Sequence, residues 1–302
     1  MKNVLVVYYS QTGQLTSIIR SVLAPLEQDP GFSIAYRELT PRVPYPFPWS
    51  AYQFCDVFPE SAAGIPEELE PGSDEWQEQE FDLVILAYTV WYLSPSIPVS
   101  SFLQSEEAAR LLRNRKVLTL IGCRNMWLMA QERVKREISA LGGQLIGTIA
   151  LTEKSGNLSG IVSIATWMLS GEKKRLLGLF PRPGIADTDI EEARKFGELV
   201  RKEWTKDGLQ LDQVKLNAHG AVHIDPALML MEKRIRPIFQ KWSAFIRKKG
   251  NRGDPERKKR VYAFMIYLIL AVLILAPFSR LASFLQRLIR KRKVRGNYSP
   301  PH

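Results

Sequence analysis

"VVYYSQTGQLTSII", Val6 to Ile19, decides how the rest of the chain is read. Four apolar or aromatic residues run into a turn holding Ser10, Thr12 and Gly13. An apolar helical period follows at once, through Leu15, Ile18, Ile19, Val22, Leu23 and Leu26. A buried strand that passes through a short turn into a helix is the start of a βα unit. At such a junction the first N–H groups of the helix point outward, with the positive end of its dipole behind them. An anion fits that place, and phosphate is the usual one. Ser10 and Thr12 bring hydroxyl donors, and Gly13 lets the backbone approach closely. The turn has no Lys or Arg, so it is a neutral cradle for a monoester, unlike a P-loop. The competing reading of the same residues is a plain hydroxyl-rich helix cap.

Working outward, the strand–helix alternation repeats. Strands are predicted at Asn3–Tyr9, Phe32–Leu39, Phe81–Tyr88, Lys116–Gly122 and Gln144–Leu151. Later helices are predicted over Ser100–Leu112, over Leu128–Leu141 with Gly142 and Gly143 closing it, and over Asp187–Trp204 with Asp187 or Thr188 as cap. Near-continuous apolar strands argue for a parallel sheet covered on both faces, an α/β doubly wound five-stranded sheet. Ligands of such sheets bind at the carboxyl ends of the strands, at the topological switch point. Three loops fall there: Ser10 to Thr16, "TVWYLSPSIPVSSFL" from Thr89 to Leu103, and "GCRNMW" from Gly122 to Trp127. One planar ligand can touch all three. The alternative for Trp91, Tyr92 and Trp127 is that they cap the core.

"YYSQTGQLT" resembles the phosphate loop of flavodoxin-like FMN proteins, with Ser10, Thr12 and Gly13 matching its S/T-x-T-G-x-T pattern. The final threonine of that pattern is Leu15 here, and a threonine follows at Thr16, about 100° further round the helix. The second loop is similar to that of flavodoxin-like quinone reductases, in which an aromatic lies by the isoalloxazine. The resemblance implies a flavodoxin-like fold over residues 1–205 and an FMN site. Ser10, Gln11, Thr12, Gly13, Gln14, Leu15 and Thr16 would hold the phosphate. Thr89, Val90, Trp91 and Tyr92 would lie by the ring, with Trp91 or Tyr92 stacking on it. Gly122, Cys123, Asn125 and Trp127 would border the pyrimidine edge. The same motifs, with a basic membrane-seeking tail, resemble the bacterial dialkylresorcinol condensing enzymes. That likeness implies a place in aryl-lipid biosynthesis beside a ketosynthase.

The chain has 302 residues and a net charge of +11, unevenly spread. Residues 233–302 carry 19 of the 42 Lys and Arg and 2 of the 31 Asp and Glu, a net of +17 that leaves the first 232 residues at −6. An acidic globular part with a basic tail does not describe a nucleic-acid binder. Two cysteines, Cys55 and Cys123, make no disulfide framework, so a reducing compartment is expected. No cleavable signal peptide is expected, because no basic and apolar leader with a cleavage site is seen. Val261–Phe278 is an 18-residue run without charge. As a helix it would be about 27 Å long, close to the ~30 Å core of a bilayer. Basic clusters flank it on both sides, so the run spans or re-enters without a side being chosen. Attachment to the cytoplasmic face through this C-terminal helix, against an anionic membrane surface, is the expectation.

The remaining organisation is expected as follows. Two insertions, 40–80 and 152–183, interrupt the globular part. The first is Pro-rich and aromatic, a lid in character, and its prolines forbid a regular helix at its start. The second lines an access path for a lipid tail or packs as an extra subdomain. Residues 206–224 are expected as a linker. Residues 225–302 form the helical tail, opening with Asp225 as N-cap and Pro226 at the first helical position. Its heptad of Leu228, Met231, Ile235, Ile238, Trp242 and Phe245 suits either a membrane interface or docking on the domain.

Two lookalike motifs carry nothing. "LGGQLIG" leaves a helix and enters a strand, the wrong order for a dinucleotide fingerprint. "HGAVHID", with His219, His223 and Asp225, is broken by Gly220 and Pro226, so no metal site is expected. Condensation of acyl thioesters needs an activated cysteine with histidine partners, and no such set is visible. A flavin suits two-electron oxidation of an alkyl-bearing cyclic dione or quinone-like substrate. An FMN oxidoreductase, an electron carrier, a flavin-free scaffold and a condensing enzyme remain as readings, in that order.

Overall fold

The computed structural model describes residues 1–73, 76, 79–155, 157–178 and 180–274 of the chain. Five parallel strands form the central sheet: β1 (Lys2–Tyr8), β2 (Phe32–Glu38), β3 (Leu83–Tyr88), β4 (Lys116–Cys123) and β5 (Gln144–Thr152). Their order is 2-1-3-4-5. This is the flavodoxin-like doubly wound order, with its switch point between β1 and β3. The fold class is the expected one, and each predicted strand agrees with the observed one to within two residues.

Both faces of the sheet are covered, which is why β3 is buried at all six positions. One face receives α1 (Gln14–Glu27), whose Leu15, Ile18, Ile19, Val22, Leu23 and Leu26 meet Val4, Val6 and Ile85. The other face receives α4 (Ile97–Leu103), α5 (Glu106–Leu112) and α6 (Leu128–Ala140). Ser100–Leu112 is thus two helices rather than one. The first ends at Leu103 with Gln104 as its C-cap, and Ser105 caps the second, its Oγ accepting from Ala108 N at 3.2 Å. The last helix of the sheet domain is likewise split at Ala193, into α8 (Asp187–Glu192) and α9 (Arg194–Lys202). Neither Asp187 nor Thr188 caps it. The N-cap is Ala186, and the Asp187 carboxylate is committed to Lys173 at 3.2 Å and Arg182 at 2.6 Å.

Residues 206–224 are not a linker. Gly208–Leu209 pairs with Trp204–Thr205, and α10 (Gln213–Ala218), capped by Asp212, lies along β5. Leu209, Leu211, Leu216 and Ala221 are buried in the α1-side core, and Ala150 N donates to Ala221 O.

The first insertion runs without helix from Pro41 to Trp49. It then forms α2 (Ala51–Asp56), opened by a Ser50/Gln53 capping box, and α3 (Phe58–Ala63). The second insertion forms α7 (Asn157–Ser170). The tail helix α11 (Pro226–Arg247), capped by Asp225 as expected, docks on α3 and α6. Its fully buried residues are Glu232, Ser243 and Ile246, whereas Ile238 and Phe245 of the predicted heptad face outward. Glu232 accepts from Met129 N at 2.8 Å, and Ser243 Oγ donates to Pro59 O at 2.6 Å. A helix follows over residues 258–274. Its Val261 and Phe264 join Cys55, Phe58 and Ile246 in a third apolar cluster. Among the described residues no helix is long and apolar enough to cross a membrane. Residues 275–278 of the predicted apolar run, and the basic flank after it, lie outside the described residues.

Candidate functional site

The turn after β1 is tight because Gly13 takes the left-handed conformation, φ 77°, at the N-cap of α1. A side chain there would meet nothing within 4 Å, so the backbone conformation is what requires glycine. Two of the first-turn N–H groups are met by the turn's own hydroxyls. Thr16 N donates to Ser10 Oγ at 3.2 Å and Gln14 N to Thr12 Oγ1 at 3.4 Å. The capping reading of these residues therefore describes their observed contacts. It leaves each hydroxyl proton free in direction, since a hydroxyl that accepts can still donate. Gln11 Nε2 donates to Pro46 O at 3.0 Å. Gln14 is locked by two bonds to the Ile185 backbone. Leu15 is 1% exposed and packs with Ile18. Both lie where a Cβ on Gly122 would intrude, so the leucine and the glycine together let α1 approach the end of β4.

The loop after β3 is a two-stranded hairpin, Val90–Trp91 against Ser94–Pro95. Its two turn residues, Tyr92 (φ 48°) and Leu93 (φ 64°), are both left-handed. This is the pattern of a type I′ turn, which ordinarily takes Asn and Gly. Such strain persists only where the surroundings hold it. Here Tyr92 is held by Phe54, Phe58 and Phe239, and its hydroxyl donates to Phe54 O. Tyr92 thus serves the insertion and the tail. Trp91 instead meets Tyr9, Tyr45 and Trp49 edge-on, with centroids 5.0–5.9 Å away.

Between these loops lies a cavity of about 280 Å³. Gln11, Thr12, Gln14, Leu15, Thr89, Val90, Trp91, Tyr92, Gly122 and Cys123 line it, so ten of the fifteen predicted residues converge on one space. Ser10, Gly13 and Thr16 belong to the same turn without lining it. Asn125 accepts from Arg124 at 3.1 Å and is not among the lining residues. Trp127 is 4% exposed, packed in the core at the start of α6, and does not face the cavity. Thr89 Oγ1 is buried with no partner among the described residues.

Six further lining residues come from the two insertions: Trp49, Phe54, Val57, Ile164, Trp167 and Met168. The insertions meet overhead, where Trp49 N donates to Met168 O at 2.8 Å and Phe47 meets Trp167 edge-on. The i, i+3, i+4 spacing of Ile164, Trp167 and Met168 is the sequence signal that marks this face. Arg124 also lines the cavity and was passed over between Cys123 and Asn125. Burial lowers its pKa, and the nearby Glu153 carboxylate opposes that shift. Burial, then Glu232, pushes the Cys123 thiol well up, and burial pushes Cys55 to about 11. Neither is a thiolate near neutral pH, and no histidine is among the lining residues.

No family profile matches the chain, and no curated relative does. Solved structures with a similar trace include a flavoprotein in complex with FMN from Lactobacillus acidophilus NCFM. It has 16% identity and a TM-score of 0.40, over 50% of this chain and 93% of that one. A putative flavoprotein from Bacteroides eggerthii has 15% identity and a TM-score of 0.38, over 50% and 89%. Oxidised flavodoxin 1 from Bacillus cereus has 11% identity and a TM-score of 0.37, over 68% and 100%.

Proposed function

We propose that this chain is an FMN-dependent oxidoreductase, attached to the membrane by its tail, that oxidises an alkyl-bearing cyclic dione or quinone-like substrate. The observation that carries the reading is the covered apolar cavity at the switch point, with the neutral hydroxyl turn of α1 at one end and Arg124 among its lining. The residues fit the cofactor. Ser10 and Thr12 hold hydroxyl protons at a helix N-terminus, the place for the terminal phosphate. Trp91 offers an aromatic face, and the unpartnered Thr89 Oγ1 offers a hydrogen bond to a polar ring edge. Bound FMN supplies two-electron redox chemistry to this site.

The chain's own residues do the rest. Trp49, Phe54 and Trp167 keep water from the reacting face and pack an alkyl chain. Arg124 stabilises negative charge on a dione oxygen as the substrate enolises. Loss of two electrons and two protons turns a 1,3-cyclohexanedione into a resorcinol. On this reading the chain is the aromatising partner in dialkylresorcinol (aryl-lipid) biosynthesis, beside a ketosynthase. A condensing role is disfavoured because Cys123 is held as a neutral thiol without a histidine base.

Membrane attachment is supported by the exposed Ile266, Ile269, Leu270, Leu273 and Ile274 of the 258–274 helix, and by Ile238 and Phe245 on α11 amid Lys and Arg. The test is FMN-loaded full-length protein given an alkylated 1,3-cyclohexanedione and an electron acceptor. Formation of the resorcinol is expected, and Cys123→Ser should retain most of it. Loss of all product in Cys123→Ser with FMN still bound would restore the condensing reading. Full-length protein should stay with membranes through high salt and leave in detergent, and release by salt alone would reduce attachment to surface adsorption.

A further inference from the structure

A second cavity, of about 270 Å³, lies on the far side of the Val90–Pro95 hairpin, between α3, α6 and α11. Its lining is unlike that of the first. Three arginines face it, Arg133, Arg136 and Arg236, together with Glu137. Arg133 is committed, with Nε 2.7 Å from Glu137 Oε1 and Nη2 donating to Gly64 O at 3.3 Å. Arg136 and Arg236 make no hydrogen bond or ion pair among the described residues, although Arg236 is half-buried. The second Glu137 oxygen, Oε2, is buried without a donor.

A half-buried guanidinium without a counter-charge and a buried carboxylate oxygen without a donor are each unfavourable. One ligand relieves both if it carries an anion for the arginines and a donor beside it for Glu137. Guanidinium groups match phosphate oxygens in geometry as well as charge. We propose that this cavity binds a phosphate ester bearing a neighbouring hydroxyl or ammonium group, held by Arg136 and Arg236 and by Glu137 Oε2. Its position favours a phospholipid head group as the source. Arg236 lies on α11, which leads through residues 248–257 into the apolar 258–274 helix, so this choice of source rests on the membrane reading above. The site itself is independent of the flavin.

The test is calorimetric titration of full-length protein in non-ionic detergent with two probes, dihexanoylphosphatidylglycerol and sn-glycerol 3-phosphate. The lipid should bind more tightly. Loss of two charge-assisted contacts in Arg136→Gln/Arg236→Gln should weaken it about 100-fold, roughly tenfold for each. FMN titration of the same double variant should be unchanged, which separates failure here from failure of the flavin reading. Equal or tighter binding of glycerol 3-phosphate would uphold the phosphate site and overturn the lipid source. No heat from either probe at millimolar concentration, or equal binding by the double variant, would overturn the proposal.

Discussion

Replacing Arg257 by Met should undo the joint between the tail and the lining of the switch-point cavity. Arg257 is 0% exposed. Its Nε lies 2.7 Å from Asp56 Oδ1, its Nη1 2.6 Å from Glu60 Oε1, and its Nη2 bonds Glu60 Oε2 and the Asp56 carbonyl. Asp56 and Glu60 belong to α2 and α3, and neighbouring Phe54 and Val57 line the cavity. In Arg257→Met both carboxylates stay buried without their cation, which should cost about 3–5 kcal/mol. That is a large share of the ~5–15 kcal/mol of a typical domain. Burial already raises the Glu60 pKa, and the hydrogen bond and charge of Arg257 hold the rise down. A raised folded pKa gives stability that is present below the unfolded value and lost as pH rises through the folded one. Removing Arg257 raises the Glu60 pKa further, so the deficit should be largest near neutrality and shrink as pH falls and Glu60 takes a proton. Urea unfolding of the full-length protein in detergent at pH 7.5 and pH 5 reads this directly. Trypsin cleavage between Arg247 and Arg252 should quicken in parallel. Asp56→Asn/Glu60→Met/Arg257→Met should recover most of the loss, because no buried charge is left unpaired. An Arg257→Met protein as stable as wild type at pH 7.5, or a deficit independent of pH, would refute the reasoning.

Other outcomes follow from the same geometry. Thr12→Ala should lose one donor to a charged acceptor and weaken FMN binding by about 1.5–3 kcal/mol, or about 10–150-fold; an unchanged titration would remove Thr12 from the site. Both thiols should react slowly with iodoacetamide in the folded protein at pH 7.5 and quickly after denaturation, since burial holds Cys55 at about 11 and Cys123 higher still. Rapid labelling of native Cys123 would contradict that. Gly197→Ala would bring a Cβ to 1.8 Å from Val22 O, where α9 crosses α1. It should cost at least the ~1–3 kcal/mol of ordinary overpacking, read as a lowered melting point.

Much of this was legible because it rests on local periodicity. The apolar run of Val4–Val7 feeds both cores, Val4 and Val6 meeting the helical period from Leu15 to Leu26 while Leu5 and Val7 face the other side, so strand, turn and helix could be read in one pass. The three loops were legible as carboxyl ends of strands. What escaped was tertiary. No glycine or proline marks the break at Ala193 between α8 and α9. Trp127 looks like its neighbours in "GCRNMW", but it turns into the core at the start of α6. Tail docking was one of two readings left open by the heptad, because the contacts that decide it run through charges. Glu232 and Arg257 carry no apolar signal, yet both are buried against partners more than 100 residues away in sequence. The insertion residues over the cavity were visible only as aromatic richness, since what seats them is a backbone contact between two distant loops.

The central claim is that the switch-point cavity holds FMN, and an FMN titration of purified full-length protein tests it most directly. Flavin fluorescence and absorbance would be followed beside the circular dichroism of the same sample. The account predicts uptake of one FMN per chain, with flavin emission quenched by the surrounding indoles and FMN preferred to FAD, because the turn of Ser10 and Thr12 receives a terminal phosphate. A folded, cooperatively melting protein that retains no flavin would contradict it.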